Sequence, residues 1–148
     1  MRFLILLLIA SPAAAVPVVP NFSQGVAVLI ALGAKVYTVE RQLELFKKTK
    51  LFFQQMPYRP KKMIYGDGYI GYAEQAPFDG IIVTAGAPEL PEALLKQLTL
   101  GGRLVIPVGD GSTQQMHKYI KTSPTKFSKS LHGEFRFVPM LEDKEGLS

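Results

Sequence analysis

Apolar runs of two kinds alternate along the chain. Ala34 to Glu40 (AKVYTVE) is short, β-branched and strand-like, whereas Arg41 to about Met56 carries Leu45, Thr49, Phe52 and Met56 at helical spacing, with Lys47, Lys48 and Lys50 off that stripe. Pro57 to Pro60 breaks the helix. Lys62 to Tyr65 then reads as a short strand entering a Gly66-Asp67-Gly68 turn, and Tyr69 to Gln75 as a short helix or turn. Phe78 to Gly86 (FDGIIVTAG) is an apolar, β-branched segment of the kind a strand buried on both faces shows. A Pro-punctuated loop, APELP, leads into the short helix PEALLKQL, with Pro91 suited to its first turn and Glu92 near its positive end. TLGGR reads as a glycine C-cap and turn, and RLVIPVG as the next strand. Upstream, Gln24 to Leu32 is helix-compatible and stops at Gly33. Downstream, Gln114 to Thr122 and Lys126 to Leu131 predict a hairpin turning at Ser123-Pro124-Thr125.

Strands alternating with helices predict an α/β domain whose sheet is mainly parallel with right-handed crossovers, and the final hairpin adds an antiparallel edge. At 148 residues and 47% hydrophobic, the chain is one domain with a real core. With no cysteines there is no disulfide framework, thiolate nucleophile or Cys-based metal site, which fits cytoplasm and periplasm equally. The net charge of +5 comes from scattered lysines, not from a basic patch interleaved with aromatics, so nucleic acid is not an expected partner.

The first residues are ambiguous. Met1-Arg2, the apolar FLILLLIA and Ser11-Pro12-Ala13-Ala14-Ala15 have the layout of a secretory leader over residues 1–20, too short to span a membrane. The same run is equally a first buried strand, or the product of an aberrant gene start or frame. Residues 21–148 form the domain proper.

The chemistry-bearing candidates stand at predicted strand ends, where sheets of this kind bind ligands. Glu40 can accept hydrogen bonds from both hydroxyls of a ribose; alternatively it is a solvated residue favouring the start of a helix. Asp67 can accept from an adenine amino group, with Gly68 allowing close backbone approach and Tyr69 packing beside the ring; alternatively this is an ordinary Asp-Gly turn. Asp79 and Thr84-Ala85-Gly86 flank a buried strand and are expected near a cofactor, without assigned roles. His117 and His132 are isolated, lack metal-type spacing and are expected on the surface or hairpin, so no metal is expected.

Several segments carry a resemblance in order: Tyr65-Gly66-Asp67-Gly68, Gly71-Tyr72, Ala76-Pro77-Phe78-Asp79, Val83-Thr84-Ala85-Gly86-Ala87-Pro88, Gly101-Gly102-Arg103-Leu104-Val105, Ile106-Pro107-Val108-Gly109-Asp110-Gly111 and Phe135-Arg136-Phe137-Val138-Pro139-Met140. From about Gly33 to Leu141 the chain resembles the S-adenosylmethionine-dependent protein-L-isoaspartate O-methyltransferases. The resemblance implies a Rossmann-like methyltransferase sheet, incomplete at its N-terminus, with S-adenosyl-L-methionine as cofactor. It implies methyl transfer to the carboxylate of isoaspartyl residues in damaged proteins, a repair activity, by a cytoplasmic monomer with no membrane insertion. It also assigns Glu40 to the ribose and Asp67, Gly68 and Tyr69 to the adenine. A carboxylate acceptor is already ionised at neutral pH, so alignment suffices and no general base is needed.

The chain departs from the family in two places. The family has a Gly-rich loop of form G-x-G-x-G after its first strand; aligning back from Gly33 puts Val19, Asn21 and Ser23 at those positions, with only Gly25 nearby. The family's upstream acceptor-binding segment has no counterpart. An inactive remnant with weak affinity for adenosine compounds is therefore an alternative to an active enzyme. A nicotinamide oxidoreductase is a further alternative, but one lacking its own glycine fingerprint and leaving GGRLVIPVG unexplained.

Overall fold

The computed structural model describes residues 1–7 and 19–140. Seven strands form one sheet. They are β1 (Arg2–Leu7), β2 (Lys35–Glu40), β3 (Lys62–Tyr65), β4 (Phe78–Val83), β5 (Leu98–Val108), β6 (Gln114–Lys121) and β7 (Phe127–Phe135). Their order is β3-β2-β1-β4-β5-β6-β7. The first five run parallel, and β6 and β7 are antiparallel, as the strand–helix alternation and the terminal hairpin predict. The helices are α1 (Val19–Ala31), α2 (Leu43–Gln54) and α3 (Glu92–Lys96), with a single 3-10 turn at Ala73–Gln75.

Residues alternate between the two faces of each strand. Val36 packs with Val26 of α1, Phe53 of α2, Phe3 and Met63 on one face. Tyr37, Val39, Ile81, Val83, Leu104 and Ile106 pack on the other with Leu94 of α3, Phe78 and Tyr72. This second cluster is the larger. Tyr37 sits at its centre, its ring 5.8 Å from that of Phe78 and 6.0 Å from that of Tyr72.

Five features decide between or differ from the sequence expectations, the first being a strand where the N-terminal apolar run offered one among its readings. The apolar run at the N-terminus contains a strand: β1 lies between β2 and β4, pairing Leu4 with Tyr37 on one side and Ile81 on the other. The Ser11–Ala15 part of the leader pattern lies outside the described residues. Helix α1 begins at Val19, several residues before Gln24, with Pro20 in its first turn, where a missing N–H costs nothing. The most buried apolar residue of α2 is Phe53, with Phe52 only partly covered, because a twelve-residue helix on a twisted sheet presents a shifted stripe.

The fourth difference is at TLGGR, which is not a helix cap. Helix α3 ends at Lys96 with Gln97 as its cap, and β5 starts at once at Leu98. The expected glycine turn exists inside the strand. Leu98 pairs with Phe78 and Arg103 with Gly80, so four residues of β5 bulge out opposite Asp79. Gly101 turns the bulge at φ +77°, and Gly102 lies where a Cβ would stand 2.8 Å from the Thr99 carbonyl oxygen and 2.9 Å from that of Phe78. The fifth difference is Asp79. It stands at the amino end of β4, where its carboxylate accepts the Arg2 backbone N–H at 2.6 Å, far from the strand end expected to meet a cofactor.

Candidate functional site

The sheet order reverses between β1 and β4, and the carboxyl ends of the strands around that reversal are where a doubly wound sheet takes its ligand. Two carboxylates stand at the ends of adjacent strands on the β1 side of that reversal. Glu40 ends β2 and is 3% exposed. Its neighbour across the ladder is Tyr65, the last residue of β3, and its carbonyl accepts the Gly66 N–H at 3.0 Å. Asp67 therefore begins its turn one residue past the point where the two strand ends are tied together. Neither carboxylate is loose. Glu40 Oε1 accepts the Gln42 N–H at 2.7 Å, which fixes the chain as it enters α2. Asp67 Oδ1 accepts the Tyr69 N–H at 2.8 Å, which closes the Gly66–Tyr69 turn. Of the two readings the sequence leaves open for Glu40, the solvated one does not hold: the carboxylate is buried and fixed by the Gln42 N–H.

Gly68 is buried and Tyr69 half-buried. The Tyr69 hydroxyl donates to the Met140 carbonyl at 3.4 Å, so the third element of the site is the C-terminal segment. That segment folds back across the end of β4: Gly86 N–H donates to the Val138 carbonyl at 2.7 Å, and Met140 N–H to the Gly86 carbonyl at 2.8 Å. Thr84-Ala85-Gly86 does stand at a strand end, but the space beside Gly86 is filled. A Cβ there would come within 2.7 Å of the Gln114 side chain. Close packing is what its glycine serves here.

Two buried glutamines hold these loops, and the sequence reading missed both. Gln97 accepts the Tyr72 N–H at 2.8 Å and donates to the Ile70 carbonyl at 2.7 Å, clamping the segment that follows Asp67. Gly71 turns in the left-handed region (φ +69°) directly against that amide, which leaves no room for a Cβ. Gln114 accepts the Phe137 N–H at 2.8 Å and donates to the Gly111 carbonyl at 3.1 Å, seating the C-terminal segment. The available signal was a lone amide beside apolar residues, Gln97 between Leu95 and Leu98; a buried amide must find partners, and here the partners are loop backbones.

The histidines lie on the hairpin as expected. His132 is exposed and bonded to Ser130 at 2.8 Å. His117 is buried, its Nδ1 3.0 Å from the Tyr119 hydroxyl. Burial pushes the His117 pKa below its ordinary value, and the Lys129 charge lowers it further; burial raises that of Tyr119. Among the described residues no group of three or more His, Cys, Asp or Glu is placed to hold a metal. A cleft of about 470 Å³ opens on the α1/α2 face beside Phe3, Asp79, Gly80 and Arg103, toward the amino ends of the strands and away from Glu40.

Residues Val19, Asn21 and Ser23, aligned with the family's loop glycines, fall in the first turns of α1 rather than in a loop. The segment that does follow β1, residues 8–18, contains no glycine; its structure lies outside the described residues.

Sheet order, crossover helices and strand-end carboxylates define a Rossmann-like α/β domain of the methyltransferase type. Residues 24–145 match the family described as protein-L-isoaspartate(D-aspartate) O-methyltransferase. The chain is 60% identical over 118 residues to a protein-L-isoaspartate O-methyltransferase of Christiangramia forsetii, and 58% identical over the same length to one of Flavobacterium johnsoniae. Each match covers 80% of this chain and 55% of the relative. The chain belongs to this family, and it spans about half the length of the curated relatives it matches. The fold agrees with two solved structures. One, a protein-L-isoaspartate O-methyltransferase, superposes with a TM-score of 0.75 over 94% of this chain and 41% of its own, at 24% identity. The other is a putative protein-L-isoaspartate O-methyltransferase of Plasmodium falciparum in complex with S-adenosyl-L-homocysteine, with a TM-score of 0.64 over 95% of this chain and 65% of its own, at 23% identity.

Proposed function

We propose that this chain carries the nucleoside half of an S-adenosyl-L-methionine site, and that the protein it represents transfers the cofactor's methyl group to the carboxylate of L-isoaspartyl residues in damaged proteins. The observation that supports this most is the buried Glu40 at the end of β2, tied through Gly66 to the Asp67 turn at the end of β3. On this reading the Glu40 carboxylate accepts from the two ribose hydroxyls, and Asp67, Gly68 and Tyr69 meet the adenine. The cofactor would supply an activated methyl on a sulfonium. The acceptor would supply an ionised carboxylate, so the residues here orient the donor and keep the nucleoside end dry rather than moving a proton. Peptides and proteins containing isoaspartate are the proposed partners, the chain acting as a monomer in the cytoplasm.

The absence of glycine in residues 8–18 supports a weak hold on the methionine half of the cofactor, because a close backbone approach of the kind a Gly-rich loop gives needs residues without a Cβ. On that basis the chain binds adenosine and S-adenosylhomocysteine with similar, modest affinity. Transfer of a tritiated methyl from S-adenosylmethionine to an isoaspartyl peptide tests the activity. Label that appears in the peptide and is lost in Glu40→Ala is the expected result for an active chain; label unaffected by Glu40→Ala refutes the ribose role. No label together with weak, Glu40-dependent adenosine binding identifies the inactive remnant instead. Among the described residues no helix is long and apolar enough to cross a membrane. Export through residues 1–20 as a leader remains the alternative localisation; a tagged chain recovered in the periplasm and shortened at Ala15 would establish it.

A further inference from the structure

Three Asp-Gly pairs occur in the sequence: Asp67-Gly68, Asp79-Gly80 and Asp110-Gly111. In such a pair the backbone nitrogen of the glycine can attack the preceding side-chain carboxyl, because glycine has no Cβ to obstruct the approach. Whether the attack occurs depends on how freely the side chain and the following amide can move together, and the fold treats the three pairs differently.

Asp79-Gly80 is locked. Gly80 is buried in the ladder, between Phe3 of β1 and Arg103 of β5, and the Asp79 carboxylate holds the Arg2 N–H. Asp67-Gly68 is also held: the carboxylate accepts the Tyr69 N–H, Gly68 is buried, and its carbonyl accepts the Gly71 N–H at 3.2 Å. Asp110-Gly111 lies in the turn between β5 and β6; the Gly111 carbonyl accepts from Gln114 at 3.1 Å, but Asp110, whose side chain must swing to the Gly111 nitrogen, is exposed, as are Gly111, Ser112 and Thr113. No atom beyond Gly111 and its two chain neighbours lies within 4 Å of where a Cβ on Gly111 would stand.

We infer that Asp110-Gly111 is a site of spontaneous isomerisation, at which the chain itself becomes an isoaspartyl protein and an acceptor for an isoaspartyl methyltransferase. The Gly111 nitrogen bonds to Cγ of Asp110. The side-chain hydroxyl leaves with the amide proton as water, closing a five-membered succinimide. Water then adds to the ring. Addition at Cγ restores aspartate. Addition at the α-carbonyl breaks that carbon's bond to the Gly111 nitrogen, so the main chain runs through the side-chain carbonyl and the α-carboxylate is freed. One water leaves and one enters, with no oxidant, reductant or co-reactant. The product lengthens the backbone by one methylene beside the Gly111 carbonyl that accepts from Gln114, the residue that seats Phe137.

The acceptor half of this inference rests on the substrate proposed above for the family; the isomerisation half does not. The test ages the folded chain for weeks at physiological temperature and maps isoaspartate by electron-transfer fragmentation. A pair that reacts only after local opening is slowed by that opening equilibrium, so at least about tenfold more isoaspartate is expected at Asp110 than at Asp67 or Asp79. The three rates should converge in denaturant. A separate, active isoaspartyl methyltransferase with labelled S-adenosylmethionine should label the aged chain, and aged Asp110→Glu should take up only the minor label that Asp67 and Asp79 contribute. Equal isoaspartate at all three pairs in the folded chain, or none at Asp110, overturns the isomerisation. Isoaspartate at Asp110 that the methyltransferase does not label overturns the acceptor half alone.

Discussion

At the residue scale, the account turns on which polar side chains are buried and what they hold. The proposed ribose role of Glu40 is supported by its burial, which keeps water from competing, and by the Gln42 N–H that fixes its geometry. Hydrogen bonds to a charged group contribute about 1.5–3 kcal/mol, so Glu40→Ala should weaken adenosine binding roughly tenfold to a hundredfold, read by ligand-observed NMR titration. A change under twofold would mean that the ligand does not use this carboxylate. His117 makes a prediction about stability. Its folded pKa lies below the ordinary value, so as pH falls through that ordinary value the unfolded chain takes up a proton that the folded chain does not. Stability contributed by neutral His117 is therefore full above roughly pH 6.5 and declines below it. The melting temperature of the wild type should fall between roughly pH 7 and pH 5, and part of that fall should vanish in His117→Gln. An unchanged slope in the variant would place the acid sensitivity elsewhere.

At the element scale, the β5 bulge gives a discriminating comparison. At Gly102 a Cβ would meet two backbone carbonyl oxygens within 2.9 Å, which cannot move without unpairing β4 and β5. At Gly101 there is open space but a left-handed φ of +77°. Gly102→Ala should cost about 3 kcal/mol or more by urea denaturation and Gly101→Ala about 1 kcal/mol. Equal costs would mean that the bulge relaxes. The same element shows how far the sequence was legible. Strands β2 and β3, the strand core of β4 and the hairpin followed from alternation and turn residues, because their burial is set by local pattern. TLGGR did not: two glycines after a helix look like a cap, and only the pairing of Leu98 with Phe78, twenty residues away, makes them a bulge. At the site, Glu40 and the Asp67 turn were legible because they stand where strands end. Gln97 and Gln114 were not, since their partners are loop carbonyls and amides distant in sequence.

At the scale of the whole molecule, one rigid sheet joins the carboxylates of β2 and β3 to the C-terminal segment, Tyr69 linking the two through Met140. The chain belongs to the isoaspartate methyltransferase family, and its sheet carries Glu40 and the Asp67 turn at neighbouring strand ends. On the proposed reading this scaffold binds the adenosine end of the cofactor and gains little from the methionine end. Isothermal calorimetry with adenosine and with S-adenosylhomocysteine, on wild type and Glu40→Ala, tests it most directly. The account predicts that both ligands bind wild type with dissociation constants weaker than roughly 10 μM and within about threefold of one another, and that Glu40→Ala loses both. S-adenosylhomocysteine binding at micromolar affinity or tighter and far above adenosine, or binding indifferent to Glu40→Ala, would contradict it.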